Sequence, residues 1–284
     1  MRLRLAFLAT MNSKATLRLR KASSCPQRTM EGLAIVPLEV PLRGGLRVTI
    51  WEAADQDAAI DAAIDDESGD PYGAICWPSA VCAANALIEL AELRGGTLKG
   101  VHVVDVGAGA GLASFCAAKL GAASVTATDH SPLALKLLRV AAESNDGVRV
   151  QKLDVFDVDA FQKILHPSDF TLVVASDLLY DRPLARALAT ALNHMNHTNT
   201  AAIVCDPGRA DGRHTFLTAL ANNKRAFEPI AVQAGALRLG SNNNTLNHRI
   251  PPVTTIGRLG IRLHLLGWNK DHPPEEEAGR TKLS

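Results

Sequence analysis

The chain has 284 residues, 47% apolar and 21% charged, which excludes collagenous, low-complexity and fully disordered chains and leaves enough apolar material for a sizeable core. Its net charge of +1 hides a division: residues 1–30 carry seven of the 30 basic side chains (Arg2, Arg4, Lys14, Arg18, Arg20, Lys21, Arg28) and no acid, so residues 31–284 hold 23 bases against 29 acids, a net of −6. An acidic body with 4% aromatic residues argues against a nucleic-acid enzyme, which needs basic tracks and stacking rings.

In chain order, residues 1–30 have the composition of an organellar targeting leader, rich in Arg, Ser and Leu and free of acids, with mitochondrion ahead of plastid or cytoplasm. Residues 31–72 hold two short strands around Gly44-Gly45 and then an acidic loop: positions 52–70 contain eight acids and no base. That loop is read as a solvated segment, or as a surface for a basic protein. The uncharged stretch Gly73–Ile88, broken by Pro78 and Asn85, is too short to insert in a membrane. The five cysteines, Cys25, Cys76, Cys82, Cys116 and Cys205, show no C-x-x-C spacing. They predict reduced, mostly buried thiols and no metal site.

From residue 73 to 268 the pattern becomes regular. A helix opens near Ser79 and runs to Leu93. Strands are predicted at 101–106, 124–129, 148–154, 170–177 and 201–206, with helices at 112–120, 133–145 (capped by Ser131), 183–195 and 214–222. Two closing strands follow at 229–237 and 261–268, then a tail over 269–284. Alternation of this kind predicts an α/β fold: a doubly wound, mostly parallel seven-stranded sheet with an N-terminal strand extension. Ligands of such sheets sit beyond the carboxyl ends of the strands, so functional residues should follow each strand.

The residues in those places carry chemistry. Val103 to Gly111 reads V-V-D-V-G-A-G-A-G; Gly107, Gly109 and Gly111 permit a tight turn and close approach of a ligand to the next helix. Asp129 ends the second strand and can accept from ribose hydroxyls. Leu112 stands where the dinucleotide fingerprint needs its third glycine, so a nicotinamide dehydrogenase fits poorly. The G-x-G-x-G spacing suits S-adenosylmethionine, which has no pyrophosphate. Asp154 can accept from an adenine amino group, with Val155 against the base. After the fourth strand, Ser176-Asp177-Leu178-Leu179-Tyr180 offers one carboxylate and one phenol able to hold an amine. The N-P-P-Y pattern of enzymes that methylate planar nitrogens is absent.

Together, Trp77-Pro78-Ser79-Ala80, Asp105 to Gly111 and Asp177 to Tyr180 resemble the seven-strand (class I) family of lysine methyltransferases, over roughly residues 72–268. Asp206-Pro207-Gly208-Arg209 is similar to a segment of the family's mitochondrial branch, which acts on the electron-transfer flavoprotein β subunit. The resemblance implies a Rossmann-like methyltransferase that uses S-adenosylmethionine and takes a protein substrate presenting a lysine. It implies Asp177 and Tyr180 as catalytic residues and Trp77, Asp105, Gly107, Gly109, Gly111, Asp129, Asp154, Val155 and Ser176 as cofactor-binding residues. Two departures stand out: the acidic insertion before Tyr72, and Val155 where many members place a tryptophan over the adenine. A methyltransferase of small-molecule amines and a silent cofactor-binding partner protein are the alternatives.

Overall fold

The computed structural model describes residues 28–30, 32–55, 57–59, 72–165, 169–195, 200–207 and 210–221, and the backbone of four further strands. The leader up to residue 27, most of the acidic loop, Gly208-Arg209 and the tail lie outside the described residues.

The chain begins with an antiparallel sheet of β1 (Arg28–Met30), β2 (Leu33–Pro41) and β3 (Arg47–Ala53). β2 and β3 are the expected pair; β1 is additional. Its Arg28 belongs to the body, not to the basic segment. The guanidinium lies 4.9 Å over the Trp51 ring and 2.7 Å from Glu143. Composition counts such a charge without seeing its partners, so the charge boundary was drawn three residues too late.

The main sheet has the order β6-β5-β4-β7-β8-β12-β9. Its parallel part consists of β4 (His102–Val106), β5 (Ser124–Asp129), β6 (Val148–Lys152), β7 (Thr171–Ser176) and β8 (Thr200–Asp206). β12 (Arg262–Leu266) joins β8 antiparallel, and β9 (Ile230–Gln233) pairs with β12. β10 (Ala236–Leu237) and β11 (His248–Arg249) form a separate short ladder.

Helices cover both faces. On one side lie α1 (Pro78–Leu93), α2 (Leu112–Lys119) and α3 (Pro132–Ala142), with the N-terminal sheet outside them; on the other lie α4 (Val158–Ile164), α5 (Arg182–Asn193) and α6 (Ala210–Ala221). The strand residues divide with period two. Val103, Val125, Leu172, Val174 and Ile203 face the first layer, whereas Val104, Val106, Val173, Ala175 and Val204 face the second. This is the doubly wound arrangement expected from the alternation. Among the described residues no helix is long and apolar enough to cross a membrane. The four described cysteines are free thiols, and Cys82, Cys116 and Cys205 are buried.

Local chemistry sets the helix starts. Ser131 accepts from the Ala134 N–H, and Asp181 caps α5 through the Leu184 N–H. Asp157 caps α4, which the sequence reading leaves unassigned because seven residues with two apolar anchors, Phe161 and Ile164, give too little periodicity. α6 begins four residues earlier than expected. Gly212, a helix breaker by propensity, sits inside it because a Cβ there would lie 1.8 Å from the Leu179 carbonyl oxygen. The missing side chain lets α6 brace the loop after β7. α6 is fixed further to the end of β8 by Asp206, fully buried, whose carboxylate accepts from Arg213 Nη2 at 2.6 Å and Nε at 3.2 Å.

Candidate functional site

The turns after β4, β5, β6 and β7 converge with segment 72–80 around a cavity of about 280 Å³. It lies at the carboxyl ends of the parallel strands, beside β4 and β7, where the winding reverses. Among the described residues its walls carry four carboxylates, Asp129, Asp154, Asp177 and Asp181, and no lysine or arginine. Such a lining suits a cationic ligand and opposes a polyphosphate.

At one end is the glycine turn. Gly107, Gly109 and Gly111 all have positive φ. Gly111 caps α2 in the left-handed conformation, and a Cβ on it would lie 2.5 Å from Leu138 and 2.7 Å from Phe115. Asp129 ties this turn to the next: Oδ2 accepts from the Gly109 N–H and Oδ1 from the Ser131 N–H, each at 2.9 Å. A carboxylate has about four acceptor sites, twice the number these two backbone donors use. Asp154 accepts from the Phe156 N–H at 3.0 Å. Val155 is buried in the wall, while Phe156 beside it is 57% exposed. Phe156, which also lines the cavity, has no place in the sequence reading, which ends at the small Val155; its aromatic ring one position later is the available signal.

Asp105 is the one expected site residue that does not line the cavity. It is buried behind the turn, where Oδ2 accepts from Ser114 Oγ at 2.6 Å and the Ser114 N–H at 3.1 Å. It holds the first turn of α2, a structural task that the motif spacing cannot distinguish from ligand contact. Burial pushes its carboxyl up to about 7 against the pull of the Ser114 hydroxyl and N–H, and the charge of Asp129 adds to the rise.

The other end is assembled from distant segments. Ser176 ends β7 and lines the cavity. Asp177 follows with φ 60°, the only non-glycine with positive φ among the described residues, a conformation aspartate tolerates better than most. Its N–H donates to the Cys205 carbonyl at 2.8 Å, and Oδ2 accepts from the Ser79 hydroxyl at 3.3 Å. Ser79 therefore does not cap α1. That position is Trp77, with no side-chain cap and Pro78 inside the first turn. The fully buried Ser79 turns its hydroxyl to the site instead.

Three rings close this end. Tyr72 stands edge-on to Tyr180 (centroids 5.5 Å apart, 67°) and to Trp77 (5.8 Å, 70°). Trp77 Nε1 donates to the Tyr72 carbonyl at 3.0 Å. The chain's two tyrosines, Tyr72 and Tyr180, both flank motif segments, which is the one sequence signal for their meeting. Cys76 also lines the cavity, where burial and then the nearby Glu52 charge raise its thiol above the ordinary range and so disfavour the thiolate. Among the described residues no group of three or more His, Cys, Asp and Glu is placed to hold a metal. Ten of the eleven expected site residues thus share one cavity.

The profile of a family described as lysine methyltransferase matches residues 56–223, more than half of the chain. The electron transfer flavoprotein beta subunit lysine methyltransferase of Xenopus laevis is 32% identical over 143 residues, 50% of this chain and 54% of the relative. That of Mus musculus is 28% identical over 220 residues, 72% and 78% of the two chains. The protein N-lysine methyltransferase METTL21A of Mus musculus is 31% identical over 150 residues, 52% and 66%. The chain spans about half the length of the frog relative. With a family profile over more than half of its length, and with motif segments gathered round one cavity, the chain belongs to the lysine methyltransferase family.

Proposed function

We propose that this protein is an S-adenosylmethionine-dependent protein-lysine N-methyltransferase of mitochondria, with a substrate such as the electron-transfer flavoprotein β subunit. One observation carries the reading: a single cavity joins a glycine turn flanked by Asp129 and Asp154 to an Asp177–Tyr180 pair, with no lysine or arginine among the described lining residues. The basic, acid-free residues 1–27 and the named substrate of the frog and mouse relatives support the compartment.

The residues present fit the cofactor. Gly107, Gly109 and Gly111 line the cavity and present backbone without a side chain to a ligand. Asp129 offers acceptors to ribose hydroxyls, Asp154 to an amino group, and Phe156 a ring face to a base. When bound, S-adenosylmethionine supplies a methyl group carried on a cationic sulfonium. The chain's part is placement, which is worth roughly 7–11 kcal/mol in favourable cases. Asp177 captures the substrate ammonium by charge, and the Tyr180 hydroxyl sets its direction. An ionised Asp177 by itself favours the protonated amine, so its role is capture and alignment, not proton removal.

Incubating the enzyme with mitochondrial extract and isotope-labelled cofactor, followed by mass spectrometry, tests the assignment. Label on lysine of the electron-transfer flavoprotein β subunit is the expected result. Label on another protein removes that substrate, and label only in small molecules overturns the protein-lysine reading. Asp177→Ala should lower transfer at least about a hundredfold while S-adenosylhomocysteine still binds; undiminished turnover would refute its role.

A further inference from the structure

We infer that Tyr72 is a substrate-contacting specificity residue: with Tyr180 it forms the aromatic corner along which an unbranched alkylammonium reaches Asp177. The inference deepens the methyltransferase reading and rests on it for the identity of the cavity's acceptor end. Tyr72 is the middle of three rings. Each neighbour stands nearly perpendicular to it, at the 5.5 and 5.8 Å separations of edge-to-face pairs. Because Tyr72 and Tyr180 already touch, nothing threads between them. Their two faces instead make an L-shaped groove, open to the cavity that both line together with Asp177 and Asp181.

A groove with apolar faces and a carboxylate at its end matches a chain of methylenes ending in a cation. The methylenes take the ring faces, and the ammonium gains attraction from the ring quadrupoles before it meets Asp177. A branched amine would meet the second wall of the corner. Tyr72 is held in place by its own segment. Its carbonyl accepts from Trp77 Nε1, the Ala53 N–H donates to the Ala74 carbonyl, and the Cys76 N–H donates to Glu52 Oε2. The ring is therefore anchored to the edge of the N-terminal sheet and is half-buried. Sequence alone gives it no role, since it lies outside every motif and directly after the acidic run.

The test uses n-butylamine, which has the four-carbon stem of lysine, and the full-length protein saturated with S-adenosylhomocysteine. Saturation-transfer NMR should detect butylamine on the wild-type complex and more weakly detect tert-butylamine. Tyr72→Phe should retain butylamine, whereas Tyr72→Ala should weaken it at least about fivefold, with S-adenosylhomocysteine affinity by calorimetry unchanged within twofold. If Tyr72→Ala does not fold, Tyr72→Leu keeps apolar bulk without a π face and should show the same loss. Butylamine bound equally by the ring-free variant overturns the inference, as does its failure to bind the wild-type complex. A parallel loss of S-adenosylhomocysteine would make the ring a cofactor wall instead. Failure of the enzyme to label any protein of a mitochondrial extract would count against the methyltransferase reading and leave the butylamine result standing.

Discussion

The glycine end of the cavity is built from short contiguous pieces: Gly107 to Gly111 after β4, Asp129 at the end of β5, Asp154 two residues past β6. Each piece lies at the end of its own strand or in the turn directly after it, and neighbouring turns are tied together, as Asp129 ties the Gly109 turn to its own. At the acceptor end Asp177 meets Ser79, 98 positions earlier, and Tyr180 meets Tyr72. The first end is a property of strand–turn–helix geometry; the second exists only once segment 72–80 folds over the sheet. Damage to the first should spread into stability, and damage to the second should register mainly in turnover.

The largest effect is expected from Gly111→Ala. The left-handed backbone at φ 81° costs an alanine about 1–2 kcal/mol. Its Cβ would also crowd Leu138 and Phe115, both fully buried, for about 1–3 kcal/mol more. Urea unfolding should show a loss of about 2–5 kcal/mol, and calorimetry a weakened hold on S-adenosylhomocysteine. Gly107 makes a useful contrast, because its Cβ would meet only the ends of the half-buried Leu178 side chain, which can turn aside. A stable Gly111→Ala protein with native cofactor affinity would mean that the turn is less constrained than its geometry requires.

This division also explains what could be read from the sequence. β-branched runs ending in glycine or aspartate located the parallel strands, and the carboxylates after them fell into the cavity with Gly107, Gly109 and Gly111. Asp105 was misplaced because a motif gives spacing without direction: it follows a buried face and turns toward α2. The start of α6 was misread because Gly212 answers to the Leu179 carbonyl, a tertiary contact that overrides propensity. The helix was expected to open near Ser79, where serine often caps, whereas the Ser79 hydroxyl meets a partner on another strand's loop. For Gly212 and Ser79 the missing information was a partner far away in sequence; for Asp105 it was the direction of the side chain.

Asp105→Asn separates the two ends by pH. With its carboxyl raised from 3.8 to about 7, Asp105 keeps a proton in the folded protein that the unfolded chain releases near pH 4. Oδ1, which has no hydrogen-bond partner, gives the charged form nothing to offset burial. The stabilisation is therefore complete below the unfolded value, is lost as pH rises to about 7, and stays lost above. Asparagine keeps an acceptor for Ser114 and has no proton to lose. Between pH 4 and 8 the variant should gain on the wild type by on the order of 3 kcal/mol in urea unfolding. Parallel curves would mean that Asp105 is ionised and paired throughout.

Ser79→Ala should have the smallest effect and the narrowest. Ser79 does not itself line the cavity; its hydroxyl reaches the site through Asp177 Oδ2, at a long 3.3 Å. A hydrogen bond to a charged group is worth about 1.5–3 kcal/mol at good geometry, so at this length about 1 kcal/mol is expected. Without it Asp177 keeps its backbone bond to Cys205 and its left-handed conformation, but its carboxylate gains rotational freedom just where the amine must be aligned. kcat should fall about fivefold, with KM for the protein substrate, S-adenosylhomocysteine affinity and thermal midpoint nearly unchanged. Threonine, which keeps the hydroxyl, should restore turnover if its extra methyl is accommodated. A loss of stability without a change in kcat would place Ser79 among the core residues of α1. A selective fall in kcat would make it the positioning residue that couples α1 to the acceptor end while leaving the glycine end untouched.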